Sequence, residues 1–221
     1  MSDFTPVHEE LQRRVREVRD ADILPALERR GMDRPLDSGE LKAVLRPLLA
    51  LGYPGTVIAK DDGGAGLDYV SLGITVEEMA PVFGFLGFHV VPRQIAMLGS
   101  SAQKARYLPP LLRGETLSTT GITEPGVGSD AGAIQMTARR AGDRYVLNGT
   151  KTWLTIGTVA DVATVLVSTD PARGSRGLSR LIVDLDHARL RSTAFGTLGD
   201  RLLPFAEVTF EDYEVPVENR L

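Results

Sequence analysis

The chain contains no cysteine among its 221 residues, which excludes thiol catalysis, disulfide bonds and thiolate metal sites. Its three histidines, His8, His89 and His187, are too scattered to suggest zinc, so we predict no metal. The net charge is -4, and the lysines and arginines are dispersed among acidic residues. This charge pattern gives no reason to expect nucleic acid as a partner.

Long hydrophobic runs are also missing. No apolar stretch approaches the roughly 18 residues needed to span a bilayer, and residues 1–4 lack the charged and apolar regions of a signal peptide. We therefore predict a cytoplasmic protein without a membrane span. The 43% of apolar residues is enough for one large core or two ordinary ones.

Three patterns, one typical of serine hydrolases and two typical of nucleotide-binding proteins, are absent as well. No serine has glycine both two positions before and two positions after it, which excludes the nucleophile elbow of many serine hydrolases. The glycine-rich run at 126–130 has no surrounding βαβ unit, so it does not predict a Rossmann site. The run at 61–66 lacks the spacing of a phosphate-binding loop and is predicted to join two helices.

The pattern of apolar residues changes near residue 115. From Val7 to about Leu112 they recur at helical spacing, and Ser100 with Gln103 predicts a capping box at the start of one helix. After Gly114 the residues alternate and form β-branched clusters, which predict strands in antiparallel pairing. We expect an α+β chain with an N-terminal all-α helical domain, residues 1–115, followed by an antiparallel β-barrel domain, residues 116–221.

Asn148-Gly149 is a strong two-residue hairpin signal, because both residues tolerate the positive φ that such turns require. It lies between two segments of strand-forming residues, 145–147 and 150–153. The sequence therefore predicts that the chain reverses direction at this dipeptide.

Three carboxylates invite a catalytic interpretation. Glu124 could act as a general base, but its place at a strand end beside Pro125 favours a turn-stabilising role. Glu77 and Glu78 could form a paired-carboxylate site. A solvated helix face with one buried, hydrogen-bonded carboxylate fits the helical spacing better.

Two segments carry the chemistry of a flavin site. Residues 121–130 leave a β-like stretch for a turn with proline and glycines, whose exposed N–H groups can hold an anion. Residues 147–155 place an indole, Trp153, within three residues of a hydroxyl, Thr155. Together they offer a phosphate cradle, a flat apolar face and a hydrogen-bond donor. Each half also has a structural explanation, because glycine turns join many strands and a lone tryptophan on a strand usually packs in a core.

Several motifs, in one order, resemble the acyl-CoA dehydrogenase family across nearly the whole chain. They are Asp62-Gly-Gly-Ala-Gly-Leu-Asp68, Glu77-Glu-Met-Ala80, Gln103-Lys-Ala-Arg-Tyr-Leu-Pro109, Thr123-Glu-Pro-Gly-Val-Gly-Ser-Asp130 and Tyr145-Val-Leu-Asn-Gly-Thr-Lys-Thr-Trp-Leu-Thr155. The run from Gly199 to Asn219 is similar to the end of the family's middle domain. The resemblance implies a helical domain and a β-barrel domain, with a C-terminal four-helix domain expected beyond Leu221.

The resemblance also implies a cofactor, FAD, and a set of residues around it. It suggests that Trp153 packs on the isoalloxazine ring, that Thr155 bonds near N5, and that Ser129 also touches the pantetheine arm of the substrate. The full set of implied cofactor-binding residues is Thr120, Ile122, Thr123, Gly128, Ser129, Trp153, Leu154 and Thr155.

The implied reaction is the FAD-dependent α,β-dehydrogenation of an acyl thioester, carried by coenzyme A or an acyl carrier protein. A base removes the α proton and the β hydrogen leaves as hydride to flavin N5. In the family that base is a glutamate of the C-terminal domain, so no residue of this chain is assigned as catalytic. The chain is expected to be a fragment or a split subunit of a homo- or hetero-oligomer, with an electron-transfer flavoprotein as acceptor.

Two other functions stay open. Acyl-CoA oxidases and flavin-dependent monooxygenases resemble the same family, and they differ from dehydrogenases in the access of oxygen to the flavin. The second alternative is a non-catalytic subunit or fragment that assembles with a chain carrying the base.

Overall fold

The computed structural model describes residues 4–84 and 86–221. The signal-peptide prediction concerns residues 1–4, of which residues 1–3 lie outside the described range. The chain divides into two compact units, one of residues 1–115 with 197–203 and the other of residues 116–196 with 204–221. Within the described residues, no helix combines the length and the apolar composition that crossing a membrane requires.

The first unit is built from helices whose ends are set by their caps. Asp37 accepts from the N–H of Glu40 at one helix start, and Ser100 accepts from the N–H of Gln103 at another, which confirms the predicted capping box. The α-helices are α1 Pro6–Val18, α2 Leu24–Arg30, α3 Ser38–Leu49, α4 Tyr69–Met79, α5 Val90–Leu98 and α6 Ser101–Leu112, with a π-helical turn, Arg19–Ile23, between α1 and α2.

Glu78 ties α1 to α4. Its carboxylate is buried and accepts hydrogen bonds from Gln12 at 2.9 Å and Arg16 at 2.7 Å, while Arg19 lies 3.1 Å away. Glu77 is exposed. This arrangement confirms one buried, hydrogen-bonded carboxylate on a solvated helix face and rules out a paired-carboxylate site.

Residues 197–203 belong to the helical unit although they lie between two strands in sequence. The N–H of Leu36 donates to the carbonyl oxygen of Leu202 at 2.8 Å, and the N–H of Gly84 donates to the Asp200 carboxylate. Leu202 and Leu203 are buried, whereas Leu198 is fully exposed. One backbone hydrogen bond and one side-chain hydrogen bond therefore hold this segment in the helical unit, without regular strand pairing.

We expect Glu40→Gln to flatten the acid dependence of stability in the helical unit. Hydrogen bonds from Arg30, and then from the N–H of Asp37, lower the pKa of Glu40 from 4.5 to about 2. Because the folded-state pKa is depressed, the stabilisation is present above the unfolded pKa and is lost as the pH falls towards about 2. Urea unfolding at a series of pH values between about 5 and about 2 measures this slope.

Arg30→Gln removes the main cause of the shift and should flatten the slope in the same way. An unchanged slope in both variants would contradict this explanation.

The second unit is a seven-stranded mixed sheet that curls into a half-barrel. Its order is β1-β4-β2-β3-β7-β6, and β5 pairs with β4. The strands are β1 Ser118–Gly121, β2 Thr137–Ala141, β3 Arg144–Leu154, β4 Val162–Ser168, β5 Leu178–Asp184, β6 Arg191–Phe195 and β7 Phe205–Pro216.

The expected α+β class, with helices first and sheet second, is confirmed. Most neighbours in the sheet are antiparallel, as predicted, but β4 runs parallel to β1 and to β2. Parallel pairing needs a long crossover, and residues 122–161 provide it between β1 and β4. β4 is nearly all buried, which explains its continuous run of apolar residues.

The predicted reversal at Asn148-Gly149 is wrong. β3 continues through this dipeptide, and its pairing with β7 shifts register between Leu147 and Gly149. Gly149 has φ 142°, and a Cβ there would lie 2.8 Å from the Cβ of Met136. Glycine is therefore needed here for the β-bulge and for the close contact with Met136. The reversal falls at Gly142-Asp143, where Ala141 pairs with Arg144 and Gly142 has φ 63°.

Candidate flavin-facing site

Lys151 joins the two segments that the sequence singled out. Its ammonium group donates to the carbonyl oxygen of Ile122 at 3.0 Å and to the carboxylate of Glu124 at 2.8 Å. Beside it, the N–H of Thr152 donates to the carbonyl oxygen of Thr123 at 2.9 Å. The end of β3 and the turn after β1 are therefore held together by three hydrogen bonds.

Glu124 is a structural carboxylate. It is buried and accepts from Lys151 and from the N–H groups of Gln135 and Met136 at 2.8 and 2.9 Å. Burial acts to raise the pKa of Glu124, but Lys151 and the two N–H donors outweigh it, so the pKa lies below its ordinary value. With three hydrogen bonds and a lowered pKa, this carboxylate is a poor proton acceptor, which confirms the turn-stabilising role and argues against a general base.

The turn between Glu124 and Val127 is closed by two reciprocal backbone hydrogen bonds of 3.0 Å. Gly126 and Gly128 project towards open space, because a Cβ at either position would meet nothing within 4 Å. Gly128 and Ser129 are exposed. The backbone of the two glycines and the hydroxyl of Ser129 are thus accessible to a ligand.

Trp153 does not pack in the core. Its side chain is 57% exposed, and its backbone adopts φ 60°, which is strained for a bulky residue. The rings of Phe195 and Phe205 meet it edge to face, with centroids 4.8 and 6.2 Å away. The core-packing interpretation is therefore wrong, and an indole held by two aromatic rings is presented outward.

The residues next to Trp153 explain its orientation. Leu154 is completely buried and anchors the strand end, while Thr155 is half-buried and Ile156 again has a positive φ, 56°. The pairing of β3 with β7 shifts between Lys151 and Leu154, so one residue is unpaired there. This bulge turns the indole outward beside the buried Leu154.

Thr120 lies in β1, where it pairs with Thr164 of β4. Its hydroxyl is 3.3 Å from the carbonyl oxygen of Thr164 in β4 and accepts from Arg180 of β5 at 3.2 Å. Ile122 and Thr123 follow in the turn and are half-buried.

Hydrogen bonds connect some of the predicted site residues, and the others are neighbours only along the chain. Ile122 and Thr123 are joined to the strand end that carries Trp153, whereas Gly128 and Ser129 are placed further along the turn. Sequence reasoning missed the residues that support this arrangement. They are Lys151, Arg180, Phe195 and Phe205, and the threonines on either side of Lys151 gave no local signal that it is buried.

Comparison with known proteins identifies the family. The model described as "Acyl-CoA dehydrogenase, N-terminal domain" matches residues 5–115, and the one described as "Acyl-CoA dehydrogenase, middle domain" matches residues 119–213. These two matches cover most of the chain, in the order that the motifs predicted.

Individual relatives agree. The chain is 37% identical over 77% of its length to the short-chain specific acyl-CoA dehydrogenase of Clostridium acetobutylicum, and covers 47% of that protein. It is 35% identical over 86% of its length to the caffeyl-CoA reductase-Etf complex subunit CarC of Acetobacterium woodii, and covers 52% of it.

Among solved structures, a glutaryl-CoA dehydrogenase from Mycobacterium smegmatis in complex with FADH2 superimposes with a TM-score of 0.86 at 29% identity, covering 98% of this chain and 55% of that one. The chain thus spans about half the length of the relatives it matches. The two matched domain models correspond to the N-terminal and middle domains of these relatives. The chain belongs to the acyl-CoA dehydrogenase family.

Proposed function

We propose that this chain forms the flavin- and thioester-binding part of an FAD-dependent dehydrogenase of acyl thioesters. Residues 1–115 and 116–221 are its two domains in this proposal. The observation that carries it is the outward-facing indole of Trp153, strained in its backbone and held next to an open glycine turn by Lys151. Backbone strain of this kind is common at ligand sites.

The residues present fit a flavin. A tricyclic ring needs a flat apolar surface, and Trp153 offers an exposed one backed by Phe195 and Phe205. A diphosphate needs backbone N–H groups without side chains in the way, and the positions of Gly126 and Gly128 are open. The residues that we propose to hold the cofactor are Thr120, Ile122, Thr123, Gly128, Ser129, Trp153, Leu154 and Thr155.

When bound, FAD supplies the acceptor for the hydride that leaves the β carbon of the thioester. Trp153 would cover a face of the ring and exclude water from it, and the hydroxyl of Thr155 would donate a hydrogen bond to the ring. Thr123 and Ser129 hold the ring or diphosphate, and Ser129 also orients the pantetheine arm. Lys151 and Glu124 keep the turn and the strand end at a fixed separation, which is what positioning catalysis requires.

The base that removes the α proton is proposed to lie outside this chain. Glu124, a carboxylate of the turn, is hydrogen-bonded to Lys151 and to two N–H groups, and its pKa is lowered, so it is a poor proton acceptor. We propose a coenzyme A or carrier-protein thioester as substrate and a cytoplasmic homo- or hetero-oligomer as the working form. An electron-transfer flavoprotein is the proposed acceptor, and the name of the Acetobacterium woodii relative supports it.

The first test uses Trp153, which is the only tryptophan of the chain. FAD added to the full chain should quench the tryptophan fluorescence in a saturable way, because a stacked isoalloxazine ring accepts the excitation. ADP, which lacks the ring, should leave the emission unchanged. Trp153→Ala should weaken FAD binding about tenfold, measured by flavin absorbance after equilibrium dialysis.

Tyr69→Ala is the matched control, because Tyr69 is a similarly exposed aromatic residue, at 61%, in the helical unit. Its FAD affinity should equal that of the unaltered chain. Tryptophan emission that FAD does not change, in a chain that also retains no flavin on dialysis, would refute the proposed function.

A further inference from the structure

Arg180 places a guanidinium group beside β1, although it belongs to β5. β5 pairs with β4, and β4 pairs in turn with β1. The Nη1 atom of Arg180 donates to the hydroxyl of Thr120 in β1 at 3.2 Å and to the hydroxyl of Thr164 in β4 at 3.4 Å. The side chain therefore extends across β4 and brings a cation to the strand that precedes the glycine turn.

The hydroxyls of Thr120 and Thr164 form a short polar row that contacts this guanidinium. The two residues are direct partners in the parallel pairing of β1 with β4, and their hydroxyl oxygens lie 3.4 Å apart. The Thr120 hydroxyl donates to the carbonyl oxygen of Thr164 at 3.3 Å, so its lone pairs can accept from Arg180. Both hydroxyls are neutral, so they fix the position of the guanidinium and do not cancel its charge.

The guanidinium keeps its charge in a partly buried place. Arg180 is half-buried, and burial lowers the pKa of its guanidinium below the ordinary value. Arginine starts from a pKa above 12, so the group is still a cation at neutral pH. Burial also lowers the pKa of Lys151, and the charge of Arg180 adds to this effect. The charge of Arg180 therefore acts as far as the lysine that connects β3 to the turn.

Thr120 links this cation to the candidate site. It is the third of the four residues of β1, and Ile122 and Thr123 follow shortly after it in the turn. The proposed function assigns all three residues to the cofactor. Because Arg180 is hydrogen-bonded to Thr120, one side chain then separates its guanidinium from the bound cofactor. A charge at such a short distance in a partly buried site interacts appreciably with a second charge there.

We propose that Arg180 favours reduction of the bound flavin by stabilising the negative charge that the isoalloxazine ring then gains. Hydride transfer to N5 brings two electrons and one proton to a neutral ring, which leaves the ring with one negative charge. That charge is delocalised towards N1 and the oxygen at C2. A cation held beside β1 before the reaction stabilises it without rearrangement. This role rests on the proposed function, which assigns Thr120 to the cofactor.

A purely structural role for Arg180 predicts a different result. A side chain that only connects β5 to β1 affects the binding of oxidised and of reduced FAD equally. A stabilising charge affects the reduced form more, and by thermodynamic linkage the difference equals a shift of the reduction potential. The midpoint potential of the bound flavin therefore separates the two roles.

The test measures the midpoint potential of FAD bound to the full chain, by equilibrium reduction against a reference dye. Arg180→Met removes the charge and should lower the equilibrium constant of reduction about tenfold, which for two electrons lowers the midpoint potential by about 30 mV. Arg180→Gln keeps an N–H donor for the two hydroxyls and should give the same shift. Arg180→Lys restores a positive charge and should recover most of the potential.

Two matched controls isolate the charge at Arg180. Thr164→Val removes one hydrogen-bond partner of Arg180 and keeps the cation, so the potential should not change. Arg139→Met removes an exposed arginine from β2 of the same unit. It should also leave the potential unchanged, because water and salt screen an exposed charge. Equilibrium dialysis of each variant reports its affinity for oxidised FAD.

An unchanged midpoint potential in both Arg180→Met and Arg180→Gln, with FAD still bound, would overturn this role and leave the proposed function standing. A shift of the same size in either control, or no recovery in Arg180→Lys, would overturn it as well. Equal weakening of oxidised and reduced FAD binding in the Arg180 variants would assign Arg180 a structural role only. If the unaltered chain retained no FAD on dialysis, the proposed function and this role would both be refuted.

Discussion

Replacing Lys151 with methionine is expected to lower the free energy of unfolding by about 3–5 kcal/mol. Lys151 is completely buried, and its partner Glu124 is only 6% exposed. Removing the ammonium group leaves an ionised carboxylate in the interior with two N–H donors as its remaining partners. Its desolvation is then no longer offset by the ion pair. Urea unfolding at neutral pH measures the change.

Two variants test this explanation. Lys151→Met combined with Glu124→Gln removes both charges and keeps an amide oxygen that accepts from one of the two N–H donors, so it should recover part of the lost stability. Arg191→Met breaks an exposed pair in the same unit, where the side chains of Arg191 and Glu211 are 68% and 75% exposed, and should cost less than about 1 kcal/mol. A loss below about 1 kcal/mol for Lys151→Met alone would show that the ion pair contributes little.

The second large effect is expected for Gly64→Ala in the helical unit, with a loss of about 3 kcal/mol. A Cβ at this position would lie 2.2 Å from the carbonyl oxygen of Ile58 and 2.5 Å from its Cβ. The N–H of Gly66 donates to that same carbonyl at 2.8 Å, so the backbone cannot move away without losing a hydrogen bond. Thermal or urea unfolding reports the loss.

Gly73→Ala is the matched control. Gly73 is exposed within α4, and a Cβ there would meet nothing within 4 Å. Alanine should stabilise the helix by up to about 1 kcal/mol because it loses less backbone entropy on folding. If Gly64→Ala were neutral while Gly73→Ala behaved as expected, the close packing of residues 58–66 would not constrain this position.

Local sequence signals succeeded where the interaction itself is local. The capping box of Ser100 and Gln103 spans three residues, and both of its hydrogen bonds form within one helical turn. The buried position of Glu78 beside an exposed Glu77 follows from helical spacing alone. The order of the family motifs predicted both domains, because these motifs extend over the whole chain.

The same signals failed where a distant residue decides the outcome. Asn148-Gly149 has the composition of a hairpin turn, but β7 lies alongside and extends β3 past it with a bulge. Met136 then approaches the glycine so closely that no side chain fits, which is a packing reason for glycine and not a turn reason. Gly142-Asp143, six residues earlier, makes the turn.

The residues of the candidate site also fall into those that the sequence could predict and those that it could not. The glycine turn and the Trp-Leu-Thr segment could be selected from sequence because their residue types suit a flavin, and their roles towards it stay a prediction. The support for them could not be selected, because Lys151 reaches Ile122 and Glu124 across 29 and 27 residues of sequence. Such pairings depend on which strands become neighbours.

By itself, therefore, the sequence determined the helical and strand-rich halves, the helix caps and the family, since each depends on residue spacing or on motifs in order. Tertiary structure alone decided that Trp153 faces outward, that a buried ion pair connects the turn to β3, and that Gly132 lies close to Ser175. The physical reason is that burial, ion pairing and close approach are set by residues far apart in the chain, which only the folded sheet brings together.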